Sequence, residues 1–267
     1  MQEYIMKKTL TFIGCGNMAG AIIDGAEAYS VCLYDKDISK YERFKDKPYI
    51  TTFSIAEAVE KGDYIFLCVK PQNKDEVLPE IAKCGLEGKM IISIMAGVKI
   101  STITKYIGED APVVRLMPNT PLMLGKGVTS LTRNDKVTDK RFSDICRLFS
   151  EIGEVMIVSE DKIDAVTAAS GSAPAYVYLF IKSIADEARA QGLDTKNLDA
   201  IIARMVIGSC HMVLESGKTP DELIKMVCSP NGTTERAMKV FEEEKFSEII
   251  AKAMQKCAER SKELSEE

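Results

Sequence analysis

Gly14, Gly16 and Ala19 fall in the run Phe-Ile-Gly-Cys-Gly-Asn-Met-Ala-Gly at residues 12–20 and satisfy the spacing G-x-G-x-x-A. Between a strand and a helix this spacing cradles a pyrophosphate. The first glycine permits the tight bend, the second lets phosphates approach the backbone, and the small third residue lets helix and strand pack closely. The negative charge then sits at a helix N-terminus, where unpaired N–H groups and the dipole favour it. Residues 8–13 read as a buried strand and 19–28 as a helix. A second strand at 31–34 ends in Asp35, about 20 residues on, where a ribose-binding acid belongs. Gly14, Cys15, Gly16, Asn17, Met18 and Asp35 are therefore candidate contacts to a dinucleotide. Without a ligand, the same residues would be a tight glycine turn in an ordinary α/β protein.

In a doubly wound sheet, ligands bind outside the carboxyl ends of the strands, and three more loops qualify. The apolar run at 64–69 ends in Lys70-Pro71-Gln72, which makes Val69, Lys70 and Pro71 candidates; Lys70 can meet a phosphate or stand in solvent. The run at 90–95 ends in Ala96-Gly97-Val98, and that at 113–117 in Pro118-Asn119-Thr120-Pro121. Small residues and prolines hold rigid backbone against a cofactor. Asn119 either offers its amide to a nicotinamide or forms a turn.

Farther along, two hydroxyl-rich segments open helices. In Gly171-Ser172-Ala173-Pro174-Ala175-Tyr176, Ser172 suits an N-cap and Pro174 the first turn, so capping alone accounts for it. In Ser229-Pro230-Asn231-Gly232-Thr233-Thr234, clustered hydroxyls and free N–H groups make a receptor for a carboxylate. The single histidine, His211, lies in a helix-periodic stretch with no evident charge partner and reads as structural. Hydride chemistry here would take its proton from a hydroxyl, water or the substrate.

The elements that must position these residues fall into two halves. Up to residue 158, apolar runs at 49–53, 64–69, 90–95, 113–117, 127–131 and 154–158 alternate with helical stretches at 39–45, 54–61, 75–83, 101–107 and 139–150. Runs apolar on both faces and separated by helices predict a parallel sheet covered on both sides. From residue 161 the pattern is helical, at 161–168, 173–191, 198–216, 220–227, 233–243 and 247–264. The stretch 200–214 is apolar around much of its circumference, more than so small a domain can bury, which predicts a dimer through this half. The expected domains are 1–158, of Rossmann type, and 159–267, all-helical.

With 267 residues, 46% apolar and 28% charged, the composition is that of a soluble globular protein. A net charge of −5 without basic runs gives no reason to expect nucleic acid or a membrane surface. Residues 1–8 hold no long apolar segment, so no secretory signal is expected. The eight cysteines contain no C-x-x-C pair, which argues against a zinc site or a disulfide framework and for a reducing cytoplasm; no metal is expected.

Taken in order, the segments 12–19, Val-Lys-Pro-Gln (69–72), Val-Val-Arg-Leu-Met-Pro-Asn-Thr-Pro (113–121), 171–176, 229–234 and Arg-Ser-Lys-Glu-Leu (260–264) resemble those of the pyrroline-5-carboxylate reductases, along nearly the whole chain. The resemblance implies hydride transfer from NADPH or NADH to the C=N carbon of Δ1-pyrroline-5-carboxylate, giving L-proline. It also implies an intertwined helical homodimer, often built into larger rings. It places the substrate carboxylate on Ser229, Asn231, Gly232, Thr233 and Thr234, with the Thr234 hydroxyl near the ring nitrogen as the catalytic contact. Ala173, within 171–175, and Asn119 would border the nicotinamide and substrate. The family usually has Gly at position 173 and Gly-Gly at 231–232; Asn tolerates left-handed backbone better than most residues. Asp35 favours NADH, whereas Lys36 and Lys40 offer cations to NADPH, so dual use is expected. Reduction of another cyclic imine and a catalytically silent nucleotide-binding regulator remain as alternatives. A hydroxyacid dehydrogenase would need a lysine and an asparagine one turn apart after Gly171, where this chain has Lys182 and Asp186.

Overall fold

The computed structural model describes residues 8–193 and 195–265. The reading of residues 1–7 as free of a leader lies outside this range. The chain forms two compact units: the first runs to Ser172 and regains the stretch from Cys257 on, and the second is Ala173–Lys256. The sheet unit thus extends beyond residue 158, through turns in which Ile163, Val166 and Ala168 are buried. The Ser261 hydroxyl, donating to Asp164 Oδ1 at 2.7 Å, joins the end of the chain to it.

The first unit holds an eight-stranded sheet in the order β3-β2-β1-β4-β5-β6-β7-β8. Its strands are β1 (Thr9–Ile13), β2 (Ser30–Tyr34), β3 (Ile50–Thr51), β4 (Tyr64–Leu67), β5 (Met90–Ser93), β6 (Val113–Pro118), β7 (Gly127–Arg133) and β8 (Gly153–Ile157). The helices between them are α1 (Asn17–Asp24), α2 (Ile55–Lys61), α3 (Lys74–Ala82), α4 (Ile100–Ile107) and α5 (Asp139–Ser150). Side chains alternate between two cores, as strand geometry requires. Leu10, Phe12, Tyr64, Phe66, Met90 and Ile92 enter one core, and Ile13, Ile65, Leu67 and Ile91 the other. Phe12 and Phe66 are register partners across β1 and β4, and their rings stack with centroids 4.7 Å apart.

Two strands run against the rest: β7 pairs with β6 antiparallel, and β8 runs parallel to β7. Only residues 119–126 join β6 to β7, carrying a single 3-10 turn, Thr120–Leu124. A parallel return needs a crossover of a dozen or more residues, so the chain can only double back. The stretch read as a helix at 39–45 is a 3-10 helix, Ile38–Phe44. The one read as a helix at 19–28 begins earlier, at Asn17, and ends at the Gly25 cap.

After β8, a 3-10 turn (Glu160–Lys162) and the short α6 (Ile163–Val166) lead into a π-helical turn, Thr167–Gly171. Ser172 follows in right-handed helical conformation, its N–H bonded to the Thr167 carbonyl at 2.8 Å. It therefore does not cap a new helix, since a cap residue needs extended backbone.

The second unit consists of α7 (Ala173–Ala190), α8 (Leu198–Glu215), α9 (Pro220–Val227), α10 (Thr233–Glu243) and most of α11 (Phe246–Leu264). Thr219 and Glu222 form a reciprocal capping box at α9. Within one chain this unit leaves its apolar side chains uncovered, among them Leu179 and Phe180 of α7 and Ile201, Met205, Ile207 and Leu214 of α8. So much exposed apolar surface marks an association face.

A single carboxylate oxygen braces the first unit. Glu160 Oε1 accepts from buried Arg115 of β6 at 3.0 Å and from the Ile100 N–H that opens α4 at 2.8 Å. Glu160→Ala would leave the Arg115 charge buried without a partner. It should cost about 3 kcal/mol of stability, read as a lower urea midpoint. Glu160→Gln, which keeps an acceptor, should cost less.

Candidate active site

At the centre of the sheet β1 lies between β2 and β4, so the connections leave in opposite directions and a crevice opens at the carboxyl ends of β1 and β4. Gly14 turns the chain there. Its φ is +97°, and a Cβ on it would lie 2.8 Å from the carbonyl carbon and oxygen of Cys68, just beyond β4. Its N–H donates to the Tyr34 carbonyl at 2.8 Å. Gly16 caps α1 in extended conformation, and among the described residues nothing lies within 4 Å of where its Cβ would be. No side chain caps α1 and no acid occupies its first turn, while Ala19 is buried. An uncapped helix start facing open space is a receptor for phosphate, and a dinucleotide fits it.

The crevice, of about 390 Å³, is lined by Gly14, Gly16, Asp35, Val69 and Lys70 among the expected residues. It adds Tyr34, Lys36, Ile55, Cys68, Asn73, Glu76 and Val77. The signal for Ile55, Asn73 and Glu76 was available: each lies at or beside the first turn of α2 or α3, and helices starting after β3 and β4 must open on this edge.

Asp35 is held by backbone. Its Oδ2 accepts from the Cys15 N–H at 2.7 Å and its Oδ1 from the Asp37 N–H at 2.9 Å. The cations that follow it are already partnered: Lys36 with Glu76 at 3.4 Å and Lys40 with Asp37 at 3.6 Å. Burial, with the Asp35 charge adding to it, pushes the Cys15 thiol up to about 12. Burial likewise raises that of Cys68. Both thiols are neutral at physiological pH, so neither acts as a nucleophile.

The other expected residues lie outside that lining. Cys15, Asn17, Met18, Pro71, Ala96, Gly97 and Asn119 do not line the crevice. Cys15 contributes its N–H to Asp35, while Asn17 and Met18 form the first turn of α1. Pro71 starts a 3-10 turn, Pro71–Asn73. Gly97, with φ +74°, packs where a Cβ would meet Leu264 Cβ at 2.8 Å; Ala96 beside it is exposed. Both ends of the Asn119 amide are engaged, Oδ1 accepting from Val128 N–H at 2.9 Å and Nδ2 donating to the Ser170 carbonyl at 3.3 Å. Its side chain ties β6, β7 and the π-helical turn together. His211 does have a charge partner: Glu215, one turn on in α8, lies 2.6 Å from its Nδ1. Among the described residues no cluster of metal-ligating side chains occurs.

In the second unit the 229–234 segment takes the form its residue types imply. Asn231 is left-handed, with φ +57°. The Gly232 N–H closes the turn onto the Ser229 carbonyl at 2.9 Å, and a Cβ on Gly232 would meet Ser229 Oγ at 2.4 Å. Gly232 then caps α10 with no side-chain hydrogen bond, leaving the first-turn N–H groups beside the hydroxyls of Thr233 and Thr234. Glu235 reaches back to accept from the Asn231 N–H at 2.6 Å and stiffens the loop. Ala173 is half-buried at the start of α7.

Comparison with known proteins agrees with this geometry. Residues 160–264 match a family model described as pyrroline-5-carboxylate reductase dimerisation. Residues 9–97 match one described as NADP oxidoreductase coenzyme F420-dependent. The pyrroline-5-carboxylate reductase of Escherichia coli (strain K12) is 38% identical over 97% of this chain and 99% of its own. The chain belongs to the pyrroline-5-carboxylate reductase family. Among solved structures, that of a pyrroline-5-carboxylate reductase from Coxiella burnetii superposes with a TM-score of 0.87 at 33% identity, over 97% of this chain and 99% of that one. The Plasmodium falciparum pyrroline carboxylate reductase with NADP bound gives 0.88 at 28% identity, over 97% and 98%.

Within that family the two glycines of the first turn do different jobs here, and their substitution separates them. Gly14→Ala forces a Cβ onto the Cys68 backbone at positive φ and should lower the thermal midpoint by several degrees. Gly16→Ala meets nothing within 4 Å among the described residues. It should keep the wild-type midpoint yet weaken NADH binding about tenfold or more in a fluorescence titration.

Proposed function

We propose that this chain reduces the C=N bond of Δ1-pyrroline-5-carboxylate to give L-proline, with NADPH or NADH as reductant. The carrying observation is the uncapped start of α10 with its left-handed Asn231, in a chain that aligns end to end with such reductases.

The residues divide the work. Gly14 and Gly16 hold the chain back from the pyrophosphate, the N–H groups opening α1 receive it, and Asp35 accepts from ribose hydroxyls. When bound, a reduced nicotinamide supplies the hydride for the C=N carbon. The N–H groups and hydroxyls of residues 233 and 234 receive the substrate carboxylate, and the Thr234 hydroxyl accepts from the ring N–H. A cyclic imine takes a proton from water near neutral pH, so no side chain need deliver one. This fits a chain whose one histidine is bonded to Glu215. The protein's main task is orientation, which by itself lowers barriers substantially.

The exposed faces of α7 and α8 pair with those of a second copy, and further pairing builds dimers into rings. All eight cysteines are free, which fits work in a reducing cytoplasm. Among the described residues no helix is long and apolar enough to cross a membrane.

The test is proline formation from pyrroline-5-carboxylate with NADH or NADPH by the purified protein. Thr234→Ala should lower kcat/KM by about tenfold or more without moving the unfolding midpoint. Unchanged kinetics would leave Thr234 a helix-start residue only, and no turnover by the unaltered protein would favour another imine or a silent regulator.

A further inference from the structure

We propose that the crevice discriminates against a 2′-phosphate, so that this chain uses NADH in preference to NADPH, with Asp35 as the specificity-determining residue and Glu76 as its support. The proposal rests on the reading of the β1/β4 crevice as a dinucleotide site and ranks the two cofactors that the family reading leaves equal.

Three observations carry it. First, Asp35 cannot swing aside. Its two carboxylate oxygens accept from the Cys15 and Asp37 N–H groups at 2.7 and 2.9 Å, so turning away would break two charge-assisted bonds. Each oxygen keeps a further lone pair, which suits the 2′- and 3′-hydroxyls of a ribose. A phosphate on the 2′-oxygen would bring like charge against a carboxylate that cannot leave, and such repulsion is strong in a partly desolvated crevice.

Second, the cations that follow Asp35 in sequence are already paired with acids. Among residues 36–45, Lys36 pairs with Glu76, Lys40 with Asp37, Arg43 with Asp24, and Lys45 with Glu42. A 2′-phosphate would have to strip one of these cations from its own acid before pairing with it. Third, Glu76 itself lines the crevice with Asp35 and Lys36. The crevice therefore holds Asp35 and Glu76, with Lys36 held by Glu76. Lys70 lines the crevice as well, from the same β4–α3 connection that leads to Glu76.

Calorimetry with ADP-ribose and its 2′-phosphorylated form reads this discrimination without turnover, since neither carries a nicotinamide. ADP-ribose should bind about tenfold tighter or better. Asp35→Ser should bring the ratio to about one or reverse it. Glu76→Gln alters an exposed side chain, so the fold is kept. It releases Lys36 and should tighten binding of the 2′-phosphorylated form severalfold relative to that of ADP-ribose. If Asp35→Ser proves too unstable to titrate, the Glu76→Gln result stands alone as the test. The kcat/KM ratio for NADH over NADPH should follow the same order across the three proteins. Equal or tighter binding of the 2′-phosphorylated form by the unaltered protein overturns the proposal, as does an unchanged ratio in both variants. Failure of both ligands to bind overturns the dinucleotide reading, and the proposal with it.

Discussion

The first unit depends on how closely the turn after β1 approaches the backbone leaving β4. A single methyl group at position 14 would fall 2.8 Å from the Cys68 carbonyl. Because the two backbones meet there, α1 begins at the sheet edge, the Cys15 N–H can reach Asp35, and the space in front of Gly16 stays clear. The same contact explains why the two cysteines beside it are chemically quiet: they are packed against backbone, and burial raises their pKa values. A turn of this kind is built mainly from absent side chains, with one carboxylate as the exception.

That carboxylate shows how a local electrostatic arrangement is stabilised by structure rather than by countercharge. Asp35 is bound to two N–H groups and not to a lysine, while the neighbouring lysines are matched to other acids. A fixed anion with hydrogen-bond capacity to spare recognises hydroxyls and repels phosphates. Specificity of this sort comes from building repulsion against the wrong ligand as well as attraction to the right one.

The two units solve the burial problem differently. The first covers both faces of its sheet from within one chain, placing alternate residues in separate cores. The second leaves whole helical faces of α7 and α8 uncovered, so much of its apolar surface awaits a partner. Its candidate substrate loop owes its form to local chemistry: a left-handed Asn, a glycine that must lack a Cβ, and a glutamate that reaches back to bind the loop.

Much of this was legible in the residues by themselves. Strand and helix periodicity marked the Rossmann-type sheet and the helical half, the glycine spacing marked the tight turn after β1, and the residue types of 229–234 implied a helix start with a left-handed position. These are local properties, set by steric freedom and by which face of a strand or helix is apolar. What only the tertiary structure decided concerns long-range partners. The antiparallel return of β7 follows from connection length and the available edge. Gly97 is a packing glycine because Leu264, more than 160 residues later, lies against it. The amide of Asn119 is committed to Val128 and Ser170, and Lys36 is neutralised by a glutamate 40 residues away. Spacing along the chain constrains backbone conformation through nearest neighbours, but whether a polar group is free for a ligand depends on what the fold has already placed against it.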